Sequence, residues 1–250
     1  MKEAGVTDIA VLRSRRTQVA MVAAAAVVLG LLAFLADSVA GVVGQVLIAL
    51  TSSGFAWGLA AFLIGRWAAT GRRAVAGATA LLVTATLLYY LLVLTVSRRW
   101  SGGTLEDGSS ADLLGLRSVA VMTALWLIGS IVAGPVLGKL GHVVRTGEAS
   151  TSALALGAVC GLLSGEGWYA VMLAPPWQVL TVADPGHADF VRGVVIGQLI
   201  TIALPIVVLA WLATVHRLWR NVPVLLATAV SSGALSAALW YLLQIAALSL

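Results

Sequence analysis

The sequence predicts an all-α fold, an integral membrane helical bundle of about seven transmembrane helices. It forms a single membrane domain over residues 1–250, with the N-terminus cytoplasmic. Three observations predict it. Of the 250 residues, 60% are hydrophobic and 10% charged, where a soluble domain has about 45–50% and about 25%. Mean hydropathy is +1.02. Apolar runs of span length also recur along the whole chain, each long enough to cross a hydrocarbon layer of about 30 Å as a helix. Helices suit that solvent because each satisfies its own backbone hydrogen bonds. A membrane barrel would need alternating segments of about ten residues, and none are seen.

The spans are expected at about 18–36, 42–65, 74–97, 117–138, 152–174, 190–213 and 223–247. The first follows Arg13, Arg15 and Arg16. Its apolar run of near 19 residues exceeds the usual signal-peptide core of about 7–15. It therefore reads as an uncleaved helix, although Ser38-Val39-Ala40 loosely resembles a cleavage site. The second is interrupted by Thr51, Ser52, Ser53 and Gly54. Residues 42–50 could form a separate interfacial or re-entrant helix, since a broken helix is tolerated against protein or a cavity. Pro135 and Pro205 fall inside the fourth and sixth spans and are candidate kinks. Ser52-Ser53-Gly54 and Ser231-Ser232-Gly233 open similar stretches in opposite directions, a weak hint of an inverted repeat.

Charge sets the orientation. With the N-terminus inside, the cytoplasmic segments hold Lys2, Arg13, Arg15, Arg16, Arg66, Arg72, Arg73, Lys139, Arg145, Arg217 and Arg220, and the outer segments Arg98, Arg99, Arg117 and Arg192. Eleven against four follows the positive-inside rule. Asp37, Glu106, Asp107, Asp112, Asp184 and Asp189 are all placed outside. An odd number of spans leaves the C-terminus outside, ending in Ser249 and Leu250. Arg outnumbers Lys thirteen to two, a bias suggesting a GC-rich bacterium and its plasma membrane. The longest loops are external, about 98–116 and about 175–189. The first reads as flexible and the second, with Pro175-Pro176 and Asp184-Pro185-Gly186, as stiffer turns.

The net charge of +5 lies in short flanks and forms no basic domain, which argues against nucleic acid as a partner. Cys160 is the one cysteine, and His142, His187 and His216 are dispersed, so no metal or disulfide framework is expected and no cofactor is implied. No Walker, HExxH or GxSxG pattern occurs; an energising partner would have to supply any nucleotide chemistry. Small-residue pairs Gly134 and Gly138, and Gly157 and Gly161, read as tight helix packing first.

Glu166 is the one acid within a span. An ionisable group at membrane depth costs about 3 kcal/mol or more and is a functional candidate by default. It lies about 21 Å into its helix at 1.5 Å per residue, in the outer half. Tyr169 shares its helix face at i+3, with Trp168 beside it. The bland reading is that Glu166 snorkels or bonds a neighbour, with Trp168 and Tyr169 in the aromatic belt. At similar depth lie Tyr89, Tyr90, Gln198 and Gln244. The resulting expectation is an outer-half pocket lined by Tyr89, Tyr90, Glu166, Tyr169, Gln198 and Gln244, set against belt aromatics and inter-helix bonds of about 0.6 kcal/mol each.

Ser53-Gly54, Trp57, Ala61-Phe62 and Gly65, then Tyr89-Tyr90, Gly134-Pro135 with Gly138, and Gly165-Glu166 with Tyr169, together resemble the pattern of an uncharacterised family of actinobacterial multi-pass membrane proteins. The resemblance covers roughly residues 50–175. The family pattern has Asn where Ser52 stands and often Pro where Ala56 stands. The resemblance implies a membrane protein with emphasis on the Glu166 and Tyr90 region, and no reaction. Small-molecule binding or transport is the leading expectation, with the protein alone, as a homo-oligomer or with an energising partner. The alternatives are a membrane-embedded enzyme acting on a lipid or isoprenoid with Glu166 as general acid, aided by aromatic faces, and an accessory protein with no pocket.

Overall fold

A computed structural model describes residues 3–177 and 185–248. The expected turns around Asp184, together with Lys2, Ser249 and Leu250, lie outside the described residues. The described chain is all-α: α1 (Glu3–Ala36), α2 (Gly41–Thr51), α3 (Gly54–Trp67), α4 (Gly71–Leu92), α5 (Asp112–Thr146), α6 (Ala149–Leu173), α7 (Pro185–Val215) and α8 (Val222–Leu248). Among the described residues seven segments are long and apolar enough to cross a membrane, with α2 and α3 forming one of them (Gly41–Trp67). The protein is a multi-pass helical bundle suited to a lipid bilayer.

Most helices outrun their apolar stretches. α5 spans 35 residues, where hydropathy predicts 117–138, because solvent polarity marks the membrane edge and not the end of a helix. Pro135 and Pro205 lie inside α5 and α7, which continue through them. The end of α4 widens into a π-helical turn, Val93–Ser97, closed by Arg98 at φ 45. The loop expected to be flexible is held by local bonds. Leu105 N–H donates to Ser109 O at 2.8 Å, Ala111 N–H to Gly103 O at 2.9 Å, and Gly102 N–H to Asp112 Oδ1 at 2.9 Å. At the tip, the Ser109 hydroxyl and amide hold the Asp107 carboxyl below the usual carboxylate range.

The helices form two packed groups. In one, α4 packs on α5 and α1, and α3 packs on α5 and α4; in the other, α6 packs on α8 and α7, and α2 lies along α7. The broken second span thus passes from one group to the other at Ser52-Ser53. α5–α6 and α3–α6 contacts join the groups.

Small residues set both seams. Along α6, a Cβ added at Gly157, Gly161 or Gly165 would run into Thr228, Ser232 or Ser236 of α8, respectively. The four-residue repeat on both helices lets the backbones approach closely. In the other group, Gly134 and Gly138 of α5 face Thr79, Ala74 and Ala78 of α4, while Gly65 of α3 lies on Gly138 and Gly141 lies on Phe62. Ser231-Ser232-Gly233 does not interrupt α8, unlike its counterpart in the second span. Here Gly233 packs beside Gly161, and the Ser231 and Ser232 hydroxyls bond the α8 backbone at Thr228 O.

Candidate functional site

The break in the second span frees backbone groups that lipid cannot satisfy, and nearby side chains take them up. Ser53 is the N-cap of α3, its hydroxyl accepting from Ala56 N–H at 3.3 Å and donating back to Ala49 O of α2 at 2.6 Å. Trp57 Nε1 donates to Thr51 O at 3.0 Å, and the Ser52 hydroxyl donates to Ala33 O of α1 at 3.2 Å. The first amide of α3 turns to Glu166, with Gly54 N–H donating to Oε2 at 2.6 Å. A carboxyl at the positive end of a helix gains from its dipole as well as from the bond. Glu166 therefore ties α6 to α3 across the two groups.

Gly54 leaves little spare room around it. A Cβ there would sit 2.9 Å from Trp240 Cζ2 and 3.0 Å from Glu166 Oε2, so the indole of Trp240 and the carboxyl meet over the same glycine. Glu166 lies seventeen residues into α6, about 26 Å along it at 1.5 Å per residue. It is nearer the end of the bundle opposite the basic turns. Among the described residues no partner reaches Oε1.

This carboxyl faces a cleft of about 720 Å³. α3, α4 and α6 form its walls and floor, and α5 and α8 form its lips. The lips are not packed along their length. They meet at one end through Trp126 and Trp240, whose rings lie 5.9 Å apart. Below that pair the lips carry exposed apolar side chains, Val132 and Val136 on α5 and Leu235 and Leu239 on α8. The cleft thus opens sideways, toward the surface that lipid covers. Thr86 and Ser130 bond each other at 3.1 Å in its wall.

Of the residues singled out from sequence, the structure brings Tyr89, Tyr90 and Glu166 into this cleft. The tyrosine rings stack edge to face with centroids 5.0 Å apart. Tyr89 is anchored outward, its hydroxyl donating to Asp37 Oδ2 at 2.5 Å, and Asp37 pairs with Arg99 at 3.1 Å. The others go elsewhere. Trp168 is exposed, and Tyr169 packs edge-on against Tyr241 at 6.5 Å. Gln198 is buried and donates from Nε2 to Ala170 O at 3.2 Å, an α7–α6 tie. Gln244 is exposed near the end of α8. None of these four lines the cleft. Depth grouped Gln198 and Gln244, and depth carries no azimuth; the i+3 spacing of Tyr169 from Glu166 leaves the two side chains about 60° apart around α6. Trp57, Trp126, Trp240 and Ser130 do line it. Read from sequence, Trp57 stands only within the family pattern and Trp126 and Ser130 have no role, because a lone tryptophan or serine inside a span does not say which way it faces. The four-residue hydroxyl spacing of Ser232 and Ser236 on α8 was a usable signal for the facing helix.

At the opposite, basic end, Arg66 NH2 lies 3.1 Å from His216 Nε2. A guanidinium only donates, so Nε2 is the acceptor and the imidazole is neutral. Partial burial, then the Arg66 charge, pull the His216 pKa below its ordinary value. Among the described residues no group of three or more His, Cys, Asp or Glu is placed to hold a metal ion.

Searches against family models, curated proteins and solved structures returned no match to this chain.

Proposed function

We propose that the protein binds an amphipathic small molecule in the α5–α8 cleft and moves it between lipid and the bundle interior, a transport-type role in a bacterial plasma membrane. One observation carries this reading: a cleft of about 720 Å³, apolar and aromatic in lining, opens sideways between exposed apolar lips and holds one carboxyl at membrane depth. Polar groups few in number and placed among apolar walls are the usual make-up of a small-molecule site. A costly intramembrane acid is consistent with such use. The N-terminus is placed inside by the positive-inside rule. Kinship with the actinobacterial family that Ser53-Gly54 and Gly165-Glu166 resemble belongs to the same proposal.

The test is identification of co-purifying small molecules by mass spectrometry, wild type against Gly129→Phe. Gly129 lines the cleft, and a Cβ there meets nothing within 4 Å, so a bulky ring can be added at the cleft wall without a clash at its Cβ. The expected result is a molecule retained by the wild type and lost from an equally stable variant. Equal retention by both sinks the reading. A second reading, an enzyme acting on a lipid or isoprenoid, is favoured by the Glu166 carboxyl and the Trp240 ring meeting over Gly54 in the cleft. It predicts a chemically altered product on incubation with membrane lipids.

A further inference from the structure

The charge pattern of the cleft points to its ligand class, an inference that rests on the cleft being a binding site. Glu166 is the one carboxylic acid among the lining residues, and no Lys, Arg or His lines the cleft. The nearest carboxylate outside it on the Tyr89 side, Asp37, is already paired with Arg99. Glu166 spends Oε2 on Gly54 N–H and keeps Oε1 unpartnered among the described residues. Aromatic rings line the same cleft: Trp240, which meets Gly54, Trp126 beside Trp240, and the Tyr89–Tyr90 pair. Ring faces attract cations, most strongly where water is excluded. An acid among aromatic rings with no compensating base is complementary to a cation. An anionic head would find no cationic side chain among the lining residues to pair with. The apolar lips fit a hydrocarbon tail that enters from the bilayer side.

We propose that the cleft is a receptor for amphipathic cations, a quaternary or protonated amine carried on an apolar tail, with the head held by Glu166 and the Trp126–Trp240 pair.

Three probes sharing one tail test this: decyltrimethylammonium, decyl sulfate and decanol. They are titrated into the purified full chain in maltoside micelles and followed by tryptophan fluorescence and calorimetry. The cation is expected to bind at least about tenfold tighter than either of the others. Glu166→Gln and Trp240→Leu should each reduce that preference severalfold, and Gly129→Phe should block binding. The wild-type comparison needs no variant, so the proposal stays testable if a substitution prevents folding. Equal affinity for all three probes, or preference for the sulfate, overturns the cation assignment and leaves the cleft as an amphiphile site. Failure of all three to bind overturns both.

Discussion

Replacing Glu166 with Ala isolates the contribution of the bond between α6 and α3. The substitution removes the acceptor of Gly54 N–H, now 2.6 Å from Oε2. A buried donor left unpaired costs about 1–3 kcal/mol. The cost of holding an acid in lipid does not repay this. In the reference state of separated helices the acid is still in the membrane, and that cost largely cancels. We therefore expect about 2 kcal/mol, or about 4–8 °C in Tm for a chain of this size. Glu166→Gln keeps an oxygen acceptor for Gly54 N–H and should lose less than half as much. The assay is thermal unfolding in maltoside micelles, with amide exchange read at Gly54. The expected order is wild type, then Gln, then Ala, with exchange at Gly54 fastest in the Ala variant. Unchanged Tm and unchanged Gly54 protection in Glu166→Ala would refute the capping argument.

Other outcomes follow from the same geometry. Gly161→Leu forces side-chain atoms into Ser232 and the Ala229 carbonyl and should destabilise the α6–α8 seam by at least about 1–3 kcal/mol, read as a fall in Tm. Asp37→Asn breaks the Arg99 pair and leaves the Tyr89 hydroxyl a weaker acceptor. Arg99 is well exposed, so the Tm loss should be small, about 0–1 kcal/mol, and should shrink in high salt. His216 should titrate below the ordinary value of about 6.5 by NMR, and Arg66→Gln should raise its pKa part of the way back, since burial remains. Its depressed folded pKa means that the stability it contributes is present above that ordinary value and is lost as pH falls through the folded one. A cysteine placed at Arg72 should be labelled only from the cytoplasmic side, while buried Cys160 stays unreactive. Labelling from outside would invert the proposed orientation.

Hydropathy located the spans because hydrocarbon imposes the same apolar requirement on every crossing helix. It could not locate helix ends such as Asp112 or Thr146, where polar residues continue the helix into the interface. The cluster Thr51-Ser52-Ser53-Gly54 was readable as an interruption, since hydroxyls compete for backbone groups. What remained hidden was that the same interruption lets α2 join α7 while α3 joins α5, a long-range choice no local pattern records. The candidate site was readable in part for a similar reason. An acid within a span draws attention by its cost, and Tyr89 and Tyr90 by their depth. The partner of Glu166 is a backbone amide, which has no sequence signature. Trp126 and Trp240 became informative only when α5 and α8 were seen to face each other across a gap.

The repeat of Gly157, Gly161 and Gly165 against Thr228, Ser232 and Ser236 also has a mechanical consequence. Backbones locked that closely leave α8 no room to slide or tilt on α6, so that lip of the cleft behaves as a fixed jaw. The other lip is seated as firmly along its inner half, where Gly134, Gly138 and Gly141 of α5 meet α4 and α3. Both walls of the cleft are therefore stiff, and cross-links placed between α6 and α8 or between α4 and α5 should leave the entry of a guest unchanged.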